Sequence, residues 1–225
     1  MKISKETIEI LKNFATINPS ILLTAGNEIT TISPQKNMFV SATIAETFEY
    51  EYGIYDLPRF LGVDNLFSDP DYIFGDKCIE IASNKKRVRY GYASKDTFVY
   101  PLASPKIPSE DIKMKIAKLD LAIAIKAASV LQSPDFIIKN ENGKIVVRVS
   151  DDKDEDANNF NLEVGETDKE FNMIFKIESL VKLIPMDYTI VISEKGLASF
   201  SNSEYNDNRG IEYKIAVETR STYVG

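Results

Sequence analysis

The stretch from Met1 to Gly26, MKISKETIEILKNFATINPSILLTAG, decides the fold because it predicts a helix followed by a strand. Ser4 is a suitable N-cap, since its hydroxyl oxygen can accept a hydrogen bond from a free backbone N–H of the first turn. Pro19 ends the helix, because proline disfavours helical geometry in the residue that precedes it. The apolar run after Pro19 predicts a strand.

The predicted helix is amphipathic. At about 100° per residue its apolar side chains share one broad face, and they are Ile8, Ile10, Leu11, Phe14 and Ala15. Lys5 and Lys12 lie about 20° apart on the opposite face. We therefore expect one face to pack on a core and the other to present two lysines to solvent.

The rest of the first half predicts antiparallel strands and one short helix. The strands are Ile21–Thr24 and Glu28–Ile32 as a hairpin, Met38–Ile44, Phe48–Tyr55 with Phe48, Tyr50 and Tyr52 inward, Ile79–Ala82 and Val88–Ala93. Asp56 caps the short helix, and Pro58 stands in its first turn, where a missing N–H costs nothing. The segment Tyr100–Ser109 contains three prolines and predicts a linker.

The second half repeats this order. Its predicted elements are strand Asp111–Ala117, helix Lys118–Leu131, strands Phe136–Lys139, Lys144–Val149, Asn159–Val164 and Phe171–Phe175, helix Lys176–Ile184, and strands Tyr188–Ser193, Leu197–Ser201 and Ile211–Val217. Asn142-Gly143 predicts a type I′ hairpin turn. The chain therefore predicts two similar α+β domains, 1–104 and 105–225.

The composition excludes several functions. The net charge of −7 argues against a protein that coats DNA, because such proteins are usually basic overall. The absence of histidine removes the commonest general base and zinc ligand. The single cysteine, Cys78, cannot form an internal disulfide, and we expect it to be a small buried hydrophobe. No run is long and apolar enough to cross a bilayer, and we expect no cofactor.

The acidic run Asp151–Asp156 partly fits a calcium loop. Asp152, Asp154 and Asp156 fall on the first, third and fifth positions of an EF-hand pattern, and Glu163 falls on the last. Ala157 stands where the loop needs glycine, however, and the flanking segments predict strands where an EF-hand needs helices. We interpret the run as a solvated hairpin loop and expect no metal site.

A second group of carboxylates, Asp64, Asp69 and Asp71, stands in a turn-rich segment. Such residues could hold a metal or act as acid and base, but Asp, Ser and Pro also dominate loops for local backbone reasons. We favour the loop interpretation.

The two later predicted helices also carry lysines on their polar faces. One narrow polar stripe runs along the helix of the second half, and it holds Lys118, Ala122, Lys126, Ser129 and Ser133. Lys176 and Lys182 flank the polar side of the following short helix. Solubilising surface lysine is the simpler interpretation of all these residues.

Some runs resemble a known family. Leu11–Asn18 (LKNFATIN), Ile54–Leu57 (IYDL) with Phe60–Gly62 (FLG), and Asn142–Val146 (NGKIV) are similar to runs in the sliding clamps of T-even-type bacteriophages, the trimeric DNA polymerase processivity factors. The similarity spans nearly the whole chain. None of the runs is a catalytic motif, so the resemblance is one of a whole fold.

The resemblance implies the DNA clamp fold, with two helices packed on antiparallel sheet in each domain. It implies a closed homotrimeric ring whose helices line a hole for duplex DNA, with edge strands pairing between subunits. It further implies that the protein is not an enzyme, that it tethers a DNA polymerase, that an ATP-driven clamp loader places it on DNA, and that it supports late transcription. The chain has no P-loop of its own. The expected location is the cytoplasm of the infected bacterial host, with no membrane partner.

Site residues follow from the resemblance. The expected DNA-facing residues are Lys5, Lys12, Lys118, Lys126 and Lys182. The expected partner-peptide pocket lies beside the linker and is formed by Phe39, Val40, Leu102, Ile107, Pro185 and Tyr213. Two alternatives stay open: a monomeric β-rich interaction module, and a carboxylate-dependent enzyme that uses the aspartates 64, 69 and 71.

Overall fold

The computed structural model describes residues 1–205 and 209–224. The chain divides into two compact units. Unit 1 consists of Met1–Ser104 with Ser203–Ile211, and unit 2 consists of Pro105–Asn202 with Glu212–Gly225. The break after Ser104 lies inside the proline-rich segment expected to be a linker, whereas the sequence placed the segment Ser203–Ile211 in the second domain. Within the described ranges, no helix is long and apolar enough to cross a membrane.

Unit 1 alternates helices with antiparallel strands. Its elements are α1 (Lys5–Ile17), β1 (Ile21–Leu23), β2 (Gly26–Ile32), β3 (Met38–Phe48), β4 (Tyr52–Ile54), α2 (Leu57–Asp64), β5 (Asp71–Phe74), β6 (Cys78–Ser83) and β7 (Lys86–Gly91). β1 pairs with β4, β2 pairs with β3, and β5, β6 and β7 form a three-stranded sheet in that order. α1 packs against α2 and β3.

The predicted first helix is confirmed. Ser4 caps it by accepting a hydrogen bond from the Thr7 backbone N–H, and the helix ends at Ile17, just before Asn18-Pro19. Ile8, Ile10, Leu11, Phe14 and Ile17 are buried. The buried Asn18 side chain donates to the carbonyls of Ile32 and Val99, each at 2.9 Å, and thereby fixes the helix end to two other segments of unit 1.

The start of α1 is held by Glu46 on β3. The Thr7 hydroxyl donates to Glu46 Oε2 at 2.5 Å, and the Ser4 backbone N–H donates to Oε1. Burial alone would raise the pKa of Glu46, but the hydrogen bonds from Thr7 and Ser4 outweigh it, so this pKa lies below its ordinary value. The carboxylate is therefore a charged anchor for the helix N-terminus.

The predicted hairpin between the first two strands is wrong. β1 pairs with β4, with Ile21 opposite Ile54, whereas β2 pairs with β3, with Ile29 opposite Ala42. All residues of β1 are buried, so this strand is covered on both faces and lacks the alternation of inward and outward residues expected of a half-exposed hairpin strand. Gly26 begins β2 at φ +112°, a backbone conformation that glycine adopts without steric cost.

The predicted strand Phe48–Tyr55 is interrupted. β3 ends at Phe48 and β4 begins at Tyr52, and these two side chains are buried with ring centroids 6.2 Å apart. Tyr50 lies in the bend between them and is 67% exposed, so its predicted inward orientation is wrong. The bend breaks the two-residue alternation that would have pointed Tyr50 inward.

Unit 2 has the same general order of elements. They are β8 (Ile112–Ile116), α3 (Lys118–Leu131), β9 (Asp135–Glu141), β10 (Lys144–Ser150), β11 (Phe160–Glu166), β12 (Glu170–Lys176), α4 (Ile177–Leu180), β13 (Tyr188–Ser193), β14 (Leu197–Asn202), β15 (Ile211–Ala216) and β16 (Thr222–Val224). One sheet has the order β11-β10-β9-β12-β16, and β15, β14, β13 and β8 are neighbours in another. α3 packs on β10 and β11, and α4 packs on β9 and β12.

Most of the predicted elements of unit 2 are confirmed. Asn142 and Gly143 have φ values of 54° and 80°, as a type I′ turn between β9 and β10 requires. The predicted helix Lys176–Ile184 is too long, because Lys176 ends β12 and α4 stops at Leu180. With two helices on antiparallel sheet in each unit, the predicted α+β class with two similar domains is confirmed.

A buried ion-pair network holds the end of β9. The Asp135 side chain is 1% exposed and lies 2.8 Å from Lys176 Nζ and 3.2 Å from Arg220 Nη2. It also accepts a hydrogen bond from the Asp152 backbone N–H at 3.2 Å. Burial alone would raise the pKa of Asp135, but the bonds from Lys176, the Asp152 N–H and Arg220 hold it below its ordinary value of 3.8.

We expect Asp135→Asn to lower the free energy of unfolding at pH 7 by about 2 kcal/mol, because it leaves two cations without their shared carboxylate. The value lies below that of a fully buried pair, since Lys176 and Arg220 keep 31% and 26% of their side chains exposed. Because the folded-state pKa is lowered, this stabilisation is complete above the unfolded pKa and disappears as the pH falls through the folded pKa.

Urea unfolding at pH 7 and at pH 3 measures this effect. The difference between the wild-type protein and Asp135→Asn should shrink at the lower pH. Asp156→Asn, an exposed change in the neighbouring loop, is the control and should shift stability by less than about 0.5 kcal/mol. Equal stability of wild type and Asp135→Asn at pH 7 would contradict the prediction.

Candidate nucleic-acid interface

The polar face of α1 presents two lysines in unit 1. Lys5 and Lys12 are both exposed, opposite the buried apolar face of the helix. The Lys12 ammonium lies 2.8 Å from Glu9 Oε1, one turn earlier on the same helix. Both groups are well exposed, so this pair is worth little in water and Lys12 can leave Glu9 for another anion.

The exposed face of α3 also carries two lysines. Lys118 and Lys126 are exposed, and neither makes a salt bridge with any residue that the structure describes. Leu119 and Val130 are 79% and 74% exposed on the same helix. The exposed face is therefore wider and more apolar than the predicted stripe, and Ser133, expected on that stripe, is buried.

The close packing of α3 explains this arrangement. Its buried residues are Leu121, Ala124 and Ala128, and two of the three are alanines. Ala117 stands at the N-cap without a capping side chain, and Asp187 instead accepts a hydrogen bond from the Lys118 backbone N–H at 2.6 Å. Asp187 lies far along the chain, and no local sequence signal predicts this cap.

The lysine expected on the last helix lies outside it. Lys182 is half-buried in the turn after α4 and is not free of interactions. Lys176, expected to flank the same polar side, is instead bound to Asp135. Arg59 is a cation that the sequence reasoning missed: it is exposed on α2 and lies 3.2 Å from Asp56. Its position directly after Pro58, on the predicted short helix, is the sequence signal that could have identified Arg59 as a helix-borne cation.

These side chains suit contact with phosphate groups. Lysine is a flexible point charge, and contacts of lysine with phosphate carry no base sequence information. The helix faces offer no cluster of Asn, Gln or Arg of the kind that reads base edges in pairs. The arrangement can therefore attract duplex nucleic acid weakly and without sequence preference.

The acidic run forms a loop between strands. β10 and β11 flank it, which confirms the predicted strands and rules out the helices of an EF-hand. Asp152 is bound to Arg220 Nη1 at 2.6 Å. Across the described residues, no group of three acidic or cysteine side chains is placed to hold a metal ion.

The second group of aspartates is occupied by other partners. Asp64 accepts a hydrogen bond from the Tyr72 hydroxyl, whereas Asp69 and Asp71 lie 3.0 and 3.5 Å from Lys2 Nζ. Burial and the bond to Asp64 raise the pKa of Tyr72. Cys78 is half-buried rather than buried as expected, and its Sγ accepts a hydrogen bond from Arg89 Nε at 2.9 Å.

The residues expected to form a partner pocket differ in accessibility. Phe39, Val40 and Tyr213 are core residues with at most 3% exposed. Leu102 is 89% exposed, Pro185 is exposed and Ile107 is intermediate. The pocket stays a prediction, with these last three as its accessible members.

Two family descriptions match most of the chain. Residues 4–91 match the DNA polymerase processivity factor family, and residues 112–219 match the C-terminal domain of the gp45 sliding clamp.

Curated relatives match over the full length. The chain is 31% identical to the sliding clamp of Escherichia phage RB69 over 234 residues, which covers 99% of each chain. It is 30% identical to the sliding clamp of Enterobacteria phage T4, again over 99% of each, and 29% identical to that of Vibrio phage KVP40, over 97% of this chain and 99% of the relative.

Solved structures share the fold at low sequence identity. PCNA from Thermococcus kodakaraensis superimposes with a TM-score of 0.70 at 13% identity, covering 95% of this chain and 96% of that one. A. fulgidus PCNA, solved with the C-terminal region of FEN-1 bound, gives 0.70 at 14% identity over 98% of each chain. The DNA polymerase III β subunit of Pseudomonas aeruginosa gives 0.66 at 10% identity, covering 95% of this chain and 62% of that one. The predicted clamp fold is confirmed.

We expect Asp187→Ala to destabilise unit 2 by about 1 kcal/mol, because the first turn of α3 loses its only side-chain cap among the described residues. The midpoint of thermal unfolding, followed by circular dichroism, measures the loss. Asp168→Ala also removes an exposed carboxylate, one that caps no helix among the described residues, and should leave the midpoint nearly unchanged. If both variants melt together with the wild type, the cap contributes nothing.

Proposed function

Because the chain belongs to the sliding clamps of T4-type bacteriophages, which are DNA polymerase processivity factors, we propose that it acts as a closed homotrimeric ring around duplex DNA. The observation that carries the proposal is the match to phage clamps over 99% of the chain. The lysine-bearing faces of α1 and α3 support it, because each lies opposite an apolar face buried within its own unit.

The ring resolves the conflict between an acidic chain and a DNA-bound function. A net charge of −7 repels nucleic acid from the protein as a whole, whereas lysines gathered on helices attract phosphates locally. Attachment by encirclement needs no tight contact, so weak and sequence-independent contacts are enough and leave the ring free to slide.

The DNA-facing residues in this proposal are Lys5, Lys12, Lys118, Lys126 and Lys182, with Arg59 added. These residues differ in the ion pair that each must break before it can contact a phosphate. Lys118 and Lys126 have no salt bridge to give up within the described part of the chain, whereas Lys12 must exchange Glu9 for a phosphate. We therefore expect α3 to contribute more to DNA attraction than α1.

The partners of the ring follow from the same role. A processivity factor acts with DNA and a DNA polymerase, and we further propose an ATP-driven clamp loader, late-transcription factors and action in the cytoplasm of the infected host. The A. fulgidus PCNA structure contains a C-terminal region of its partner FEN-1. That precedent supports a partner-peptide pocket here, for which Leu102, Ile107 and Pro185 offer accessible apolar surface.

We expect native mass spectrometry to give a mass close to three times the 25.3 kDa of one chain at micromolar concentration. Sedimentation velocity over a dilution series should show the same assembly. A monomer throughout the series would contradict the ring and favour the alternative of a monomeric β-rich interaction module.

We expect Lys12→Glu combined with Lys126→Glu to leave the trimer intact but to impair loading and processive synthesis. Each lysine contributes about 1 kcal/mol or less, but a trimer carries three copies of each change. The defect should grow as salt rises, since the remaining attraction is screened earlier. A primer-extension assay with the cognate polymerase and loader, run over a salt series, measures it.

The matched control is Lys36→Glu combined with Lys153→Glu. These lysines also lie one in each unit, in exposed turns rather than on helix faces. The control should stay near wild-type processivity at every salt concentration. Equal loss in both double variants, or full activity of the Lys12/Lys126 variant at physiological salt, would mean that these lysines are ordinary solvated surface.

A further inference from the structure

The outermost line of side chains on α3 is apolar. Leu119, Ile123 and Val130 are 79%, 49% and 74% exposed. At about 100° per residue, these three side chains lie within about 40° of one another around the helix axis. Their shared direction is about 150° from the centre of the buried face of the helix, and therefore nearly opposite to it. We call these three residues the apolar ridge.

Folding of the helix does not require the apolar ridge. The exposed residues of α1 are all polar, although α1 also buries one apolar face. Ile123 and Val130 are β-branched, and such residues are less favourable in a helix than lysine, glutamate or alanine. A single exposed aliphatic side chain is common, but an aligned group of them marks a surface that contacts something.

The lysines of α3 indicate what the apolar ridge faces. Lys126 lies about 40° from the centre of the ridge, and Lys118 lies further round on the same exposed side. Neither makes a salt bridge with any residue in the described part of the chain. Lysines without a carboxylate partner are complementary to the phosphates of duplex nucleic acid. Since ridge and lysines share one exposed face, a duplex that contacts the lysines also lies against the ridge.

Aliphatic side chains cannot hold a phosphate group. They carry neither a charge nor a hydrogen-bond donor, whereas lysine, arginine, serine, threonine, asparagine and glutamine all bind phosphate oxygens. A carboxylate at the same positions would instead attract Lys126 and remove it from the duplex. The apolar ridge therefore occupies surface that faces the duplex without adding a contact that must break whenever the DNA moves.

The start of α3 also lacks a strong phosphate contact. The free N–H groups and the dipole of a helix N-terminus form a favourable site for an anion. In α3 the Asp187 carboxylate accepts a hydrogen bond from the Lys118 backbone N–H at 2.6 Å, so a negative charge already stands at this position. The cap and the ridge are independent features, and both reduce the hold of α3 on phosphates.

We propose that the apolar ridge is a low-adhesion surface for duplex DNA, and that it sets how fast the ring slides. Lys118 and Lys126 attract the duplex, and the ridge limits the number of phosphate contacts that each subunit makes at one time. This role rests on the proposed ring and goes beyond it, because encirclement alone keeps the ring on DNA without fixing its mobility.

Single-molecule tracking of rings loaded on stretched duplex DNA tests the ridge. Leu119→Lys with Val130→Lys should lower the diffusion coefficient by roughly threefold or more at physiological salt, and the slowing should fade as salt rises, because each added lysine–phosphate contact is salt-dependent. Leu119→Gln with Val130→Gln should slow the ring by a smaller factor, since glutamine donates to phosphate without carrying charge. Leu119→Met with Val130→Ile keeps the ridge apolar and should slide like the wild type.

The matched control is Asn158→Lys with Asn159→Lys, which adds the same charge in the exposed loop between β10 and β11. It should diffuse like the wild type, and circular dichroism confirms that each variant is folded. Wild-type diffusion of the lysine or the glutamine variant of the ridge, or equal slowing by the control, would overturn the role of the ridge while leaving the ring intact.

A separate measurement tests the ring on which this role rests. The loaded wild-type protein should stay on closed circular DNA and leave once the circle is cut. Loss from the closed circle at the same rate would overturn the ring and the role of the ridge with it.

Discussion

Burial of one apolar face on each long helix is the constraint on which the rest of the molecule depends. In α1 the residues Ile10 and Phe14 are at most 1% exposed, so the helix cannot rotate without opening the core of unit 1. In α3 the buried Ala124 and Ala128 bring the helix close to its sheet. Once the buried faces of α1 and α3 are fixed, the direction of their exposed faces is fixed as well. The lysines on the exposed faces therefore project in a defined direction, although their side chains stay flexible.

Charge is sorted by element around that constraint. The exposed helix faces carry lysines, whereas the acidic run lies in a loop between β10 and β11. The buried carboxylates serve structure instead: Glu46 holds the start of α1, and Asp135 joins the end of β9 to Lys176 and Arg220. The net charge of the chain therefore says little about the charge at any one surface.

Local signals in the sequence predicted the parts of the fold that depend on local physics. The start of α1 at Ser4 and the turn at Asn142-Gly143 were both predicted, because a cap and a type I′ turn need only neighbouring residues. The pairing of β1 with β4 and the capping of α3 by Asp187 were missed, because each depends on a partner distant in sequence. The lysines of the candidate interface could be placed on their helices for the same local reason, apart from Lys182, whose helix ended early.

The cap that Asp187 gives to α3 has a consequence for the synthesis of the chain. Asp187 follows Lys118 by 69 residues, so α3 leaves the ribosome well before its cap exists. The first turn of α3 therefore stays frayed until the segment after α4 has been made, and unit 2 completes its folding late in translation.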